Sequence, residues 1–185
     1  MSRRFRNLAF VRVAALAFGL SAIGGSGSRA AAVQHHDLGT VRFPTSCLPA
    51  VQAEFERGVA MLHSYWFNYA GKTFRAVLEK DPACAMAYWG VALDLLGNTL
   101  AAAPSAARAR EAWSALEQAR PLEATPRERQ WIDAIRTYFR DHERVPLATR
   151  LTAYSRAMGE IAQKYPDDFE AQVFYALTLQ AAAPK

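Results

Sequence analysis

Residues 58–90 read GVAMLHSYWFNYAGKTFRAVLEKDPACAMAYWG, and this stretch decides the fold. Gly58 is a small residue inside an apolar stripe of Phe55, Val59, Leu62 and Trp66, set at the three- and four-residue spacing of a helix. Ala70 and Phe74 then place a small and a large residue on a second helix, with Val77 on the same inner face. Asp81-Pro82 stops that helix. Ala87 and Tyr88 reopen the pattern of the first helix. A helix–turn–helix unit of about 34 residues that recurs in this way marks a stacked array, because one such unit cannot bury its apolar face alone.

Gly58, Ala70, Phe74 and Pro82 match the small, small, large and proline positions of the tetratricopeptide repeat. The expected fold class is therefore all-α, a tetratricopeptide-like right-handed stack of antiparallel helical hairpins. The third helix is expected at Ala85–Leu96 and ends at Gly97-Asn98. A loop containing Pro104 and Ser105 follows, and then a helix with the small–large–small spacing of Ala112, Leu116 and Ala119. Thr125-Pro126-Arg127-Glu128 reads as a capping box with proline at the first helical position. Trp131, Ile135 and Tyr138 continue that helix; Tyr154, Met158 and Ile161 face inward on its partner, which Pro166 closes. The divisions are residues 51–84, 85–124 and 125–168 for three repeats, and 169–185 for the first helix of an incomplete fourth.

Ahead of the array, Arg3, Arg4, Arg6 and Arg12 form a positive region, followed by an apolar run from Val13 to Ile23 and the small residues Ala30-Ala31-Ala32. Residues 1–32 have the layout of a secretory signal, with an apolar core too short for a good membrane span. Cleavage after Ala30 is the alternative to cleavage after Ala32, and Arg3-Arg4 leaves a twin-arginine route open beside general secretion. Residues 33–50 read as an extended leader. The signal holds five arginines and no acid, so the 22 basic side chains of the whole chain fall to 17 in the mature part, equal to its 17 acids. The basic balance thus belongs to the signal, and nucleic-acid binding has no support. The expected location is periplasmic or secreted, with no membrane segment in the mature form.

Cys47 and Cys84 are the two cysteines. Export would carry them to an oxidising compartment, and stacking would bring both to one edge of the array. Either they form a disulfide, stabilising the fold by roughly 3–4 kcal/mol, or they are two buried thiols. Neither lies in a C-x-x-C or haem-attachment pattern.

The phrases Leu62-His63-Ser64-Tyr65-Trp66 and Asp81-Pro82-Ala83-Cys84-Ala85-Met86-Ala87-Tyr88-Trp89-Gly90 resemble those of a group of exported bacterial tetratricopeptide-repeat proteins. So do Pro126-Arg127-Glu128-Arg129 and Tyr165-Pro166-Asp167-Asp168. The resemblance covers roughly residues 41–183. Members of the group are typically much longer, which implies that this chain is an amino-terminal fragment. The group has no assigned activity to carry over.

In such repeats the first helices line a concave groove. Here that surface would be made by Phe55, Val59, Leu62, His63, Trp89 and Leu93, and it is apolar. One reading is a docking surface for an amphipathic helix or hydrophobic peptide. On that reading Phe55→Ala and Trp89→Ala weaken binding and leave the melting temperature near its original value. The other reading is that these residues pack against later repeats or the leader. His63 shares their face, where a lone histidine is more often hydrogen-bonded structure than a ligand or an acid–base catalyst.

The last helix, from Phe169 to Leu179, presents Val173, Phe174 and Leu177 with nothing downstream to cover them. An uncovered stacking face fits either a longer protein or self-association through Phe169, Val173, Phe174 and Leu177. A sharper alternative concerns the mature terminus Val33-Gln34-His35, whose amine, backbone nitrogens and imidazole suit square-planar Cu(II) or Ni(II). No cofactor is otherwise implied. No nucleophile–base–orienter set is visible, and an enzyme whose catalytic part lies beyond Lys185 stays open. The expected function is an exported scaffold that binds a protein or peptide, without chemistry of its own.

Overall fold

The computed structural model describes residues 38–184; the signal reading of residues 1–32 and the His35 metal site lie outside them. The described residues are all-helical: α1 (Gln52–His63), α2 (Phe67–Lys80), α3 (Ala85–Leu96), α4 (Ala106–Ala119), α5 (Pro126–Phe139), α6 (Leu147–Lys164) and α7 (Phe169–Ala182). A short 3-10 turn, Pro49–Val51, precedes α1, and no strand occurs among them. None of these helices is long and apolar enough to cross a membrane.

Each helix packs on the one before it, and α3 additionally packs on α1 and α5. From Ala85 to Leu96 every residue of α3 except Tyr88 is buried, as expected of a helix that is apolar nearly all round. Phe74 of α2 lies against the backbones of both flanking helices. A Cβ added at Gly58 would come 2.7 Å from its ring, and one at Gly90 would come 2.5 Å from it. The small–large pattern is thus a close-approach device: two glycines leave room for one aromatic ring.

The helix ends are satisfied by side chains, since the last carbonyls of a helix have no partner within it. Arg108 of α4 donates to Leu95 O at 3.1 Å and to Asp94 O at 2.6 Å, capping α3. Arg150 of α6 does the same past the end of α5, donating to Tyr138 O and Val145 O at 3.1 Å each. At the start of α5 the capping box is present, with Thr125 and Glu128 bonded reciprocally.

Residues 38–48 run extended into the array rather than away from it. Phe43 is fully buried, its ring 5.5 Å from Phe55, 5.4 Å from Trp89 and 4.8 Å from Trp131. The backbone around it is held along its length. Phe43 N donates to Glu56 at 3.0 Å, Gln52 donates to Phe43 O at 2.8 Å, Ser46 N donates to Glu128 at 2.7 Å, and Leu48 N donates to Asp81 at 2.7 Å. Cys47 and Cys84 form a disulfide with Cα atoms 4.7 Å apart. Residues 38–48 form a strap, tied covalently to the start of α3 and by hydrogen bonds to the caps of α2 and α5.

Candidate binding site

Beyond the strap, the first helices and α7 leave an apolar cavity of about 240 Å³. Leu62 and His63 at the end of α1, Leu93 and Leu96 at the end of α3, and Val173, Phe174 and Leu177 of α7 form most of its wall. Tyr65, Phe67 and the loop at residues 97–100 complete the mouth, and Tyr154 of α6 contributes from the far side.

Two helix endings shape this mouth. α1 ends in a Schellman motif: Trp66 N–H donates to Met61 O at 2.9 Å and Tyr65 N–H to Leu62 O at 3.0 Å. The residue at the left-handed position of that motif is Tyr65, with φ of 58°. Glycine is the usual occupant, and a side chain there costs about 1 kcal/mol or more. The ring so placed stands at the cavity edge, 5.9 Å from Phe67. α3 ends at Gly97, whose φ of 70° lets the chain turn sharply into the loop. Asn98 then accepts from Leu100 N at 2.9 Å and holds that loop.

α7 closes the site from across the array. Phe174 packs against Trp89 at 5.6 Å, Trp131 at 5.3 Å and His63 at 5.3 Å, joining one aromatic cluster with Phe43 and Phe55. His63 Nε2 and Glu170 Oε2 lie 2.7 Å apart, and Glu170 is buried in the first turn of α7. A carboxylate only accepts, so in this contact Nε2 carries a proton and donates to Glu170. No hydrogen bond to Nδ1 occurs among the described residues, and the His63 side chain is partly exposed. The hydroxyl of Tyr154 is buried without a partner, and burial pushes its pKa far above the ordinary tyrosine range, keeping it protonated.

The six groove residues therefore separate into two groups. Phe55, Val59 and Trp89 are fully buried in the core, with Phe43 and Phe174 packed into the aromatic cluster around them. Leu62, His63 and Leu93 line the cavity. Of the residues suggested for self-association, Phe174 is turned inward and buried, Val173 and Leu177 are half-buried cavity wall, and Phe169 is 75% exposed. Cys47, Asp81 and Cys84 bring three potential metal-ligand atoms within 4.8 Å, but the two sulfurs are bonded to one another.

Glu170 and Phe43 were not singled out by sequence reasoning. Glu170 interrupts the apolar pattern of α7 just after its cap, the one signal that could have marked it, and its partner is 107 residues away. Phe43 sits in a short segment without periodicity, where nothing local distinguishes a buried ring from an exposed one. No family model, no curated protein and no solved structure matches the chain.

Proposed function

We propose that this chain is an exported tetratricopeptide-like scaffold that binds a protein or peptide partner at the open end of its concave face. The observation that carries the proposal is the cavity itself. Apolar residues from the ends of α1 and α3 meet an apolar stretch of α7 around an open space of about 240 Å³, while the rest of the concave surface is filled by the chain's own strap. Sites that fix ligands are concave and mostly apolar, with a few polar groups to set orientation. The succession of hairpins and the glycine positions beneath Phe74 support the repeat reading. The disulfide suits an oxidising compartment, which supports export.

The test is panning of a displayed random-peptide library against the full chain and against Val173→Glu and Leu177→Glu variants. These residues are half-buried, so a carboxylate there reaches the cavity at little cost to the fold. Peptides with an apolar anchor should be enriched on the native protein and lost on both variants, at melting temperatures close to the native one. Equal enrichment on all three proteins, or none, overturns the proposal.

A further inference from the structure

Resting on the proposed binding role of this cavity, we infer that it is a socket for one aromatic side chain bearing a hydrogen-bond donor, a tryptophan or tyrosine of the partner segment, with His63 Nδ1 as the acceptor.

Size sets the first limit. An apolar cavity of about 150 Å³ takes benzene, so one of about 240 Å³ has room for a ring with a fused ring or a substituent. The walls suit such a ring: Phe174 stands on one side, Tyr65 and Phe67 at the mouth, and leucines between.

Polarity sets the second limit. His63 lines the cavity, and its Nε2 is committed to Glu170 at 2.7 Å. Nδ1 is the ring nitrogen left for an occupant, and whenever the imidazole carries a single proton on Nε2 it can only accept, so the occupant must donate. The indole N–H and the phenol O–H supply one, whereas phenylalanine, leucine and methionine do not. Glu170 is a positioning residue here: it acts on the occupant only by holding the tautomer of His63.

The rim indicates a peptide rather than a free aromatic molecule. Tyr65 is exposed as well as lining the cavity, and Trp66 and Tyr69 follow it as exposed rings on the same turn and the start of α2. A single ring seated inside the cavity would not extend over these groups, while the residues flanking it in a peptide would. Tyr65 occupies the left-handed position that glycine normally takes, so the fold keeps a ring at this mouth at some cost in backbone strain.

The experiment is titration of the full chain at pH 8 with capped tripeptides carrying tryptophan, tyrosine or phenylalanine between glycines, and with free indole and p-cresol, read by methyl shifts of Leu93, Val173 and Leu177. The tryptophan and tyrosine peptides should bind about five- to tenfold more tightly than the phenylalanine peptide, the value of one net hydrogen bond. They should also bind more tightly than indole and p-cresol. The double variant His63→Leu/Glu170→Leu should bring the three peptides level. If that variant fails to fold, His63→Phe/Glu170→Leu, which keeps a ring at position 63 but no nitrogen to accept, should lose the preference instead. Equal binding of all three peptides by the native chain overturns the donor rule and leaves the binding role standing. No binding by any of them overturns both. Indole or p-cresol binding as tightly as the matching peptide overturns the peptide source, and a preference that survives in the folded variants overturns the assignment to His63.

Discussion

His63 and Glu170 lie 2.7 Å apart, one at the end of α1 and the other in the first turn of α7. The pair joins the beginning of the helical array to its last described helix. Between them Phe174 meets Trp89 and Trp131, so α7 reaches α1, α3 and α5 through side chains. Val173, Phe174 and Leu177 of α7 complete the wall of the cavity that the ends of α1 and α3 begin.

His63→Ala should destabilise the protein by about 1–3 kcal/mol, because it leaves the buried Glu170 carboxylate without its partner. Removing both groups together should cost less than removing the histidine alone. Thermal denaturation of His63→Ala and His63→Leu/Glu170→Leu checks this, and a larger loss in the double variant would sink it.

Phe43→Ala should cost about 3–5 kcal/mol, the usual range for emptying a fully buried aromatic site. Phe55→Ala and Trp89→Ala should behave alike, since both residues are fully buried and share the cluster. The expectation of unchanged melting temperature for the last two variants holds only for an open groove. Urea unfolding of the three variants decides the matter, and a near-native midpoint for Phe43→Ala would show that the strap is not core.

Reduction of the Cys47–Cys84 disulfide, which spans 37 residues of sequence, should lower stability. The loss expected from chain entropy for a loop of that size is about 3–4 kcal/mol. Unfolding with and without reductant measures it. Amide exchange should accelerate first at Leu48 and Ser46, whose N–H groups are held by Asp81 and Glu128 beside the bond.

Gly90→Ala should cost about 1–3 kcal/mol, because the added methyl would fall 2.5 Å from the Phe74 ring with packed backbone on both sides. Phe74→Leu combined with Gly90→Ala should recover part of that loss. A Gly90→Ala protein as stable as the native one would mean that α2 can withdraw from α3.

Asp94 is buried, and desolvation raises its pKa above the ordinary aspartate value despite the hydrogen bond and charge of Arg75 and the charge of Arg108. A carboxyl raised in the folded state is protonated more readily there than in the unfolded chain. Its stabilising contribution is therefore complete below the unfolded value of about 3.9 and is lost as pH rises through the folded value. Asp94→Asn should match the native melting temperature at pH 3.5 and exceed it increasingly toward pH 6.5. A difference that is constant across that range would refute the raised pKa.

Legibility in the sequence follows the range of each interaction. Phe55, Val59 and Leu62 of the apolar stripe, the stop at Asp81-Pro82 and the capping box at Thr125 depend on neighbours within a turn or two of helix. Each could be read directly, whereas Trp66, expected on the same stripe, lies past the end of α1 and is exposed. The disulfide was one of two open alternatives, because the pairing needed only that two helix starts share an edge. The filling of the groove was not decided in advance. Phe43 belongs to a segment with no period, and its place under Trp89 and Trp131 depends on how far three hairpins curve. Local pattern marks Phe174 as an uncovered stacking residue because no helix follows it downstream, whereas its cover comes from helices far upstream.

That the described residues are helical, and where most of the helices stop, follow from residues within a turn or two of one another, because periodicity and capping are local effects of side-chain shape. That Phe43 enters the core, that Glu170 reaches His63 and that a cavity remains beside them follow only from how distant helices pack. Those outcomes depend on the angles at which helices far apart in sequence meet, which no single stretch of the chain encodes.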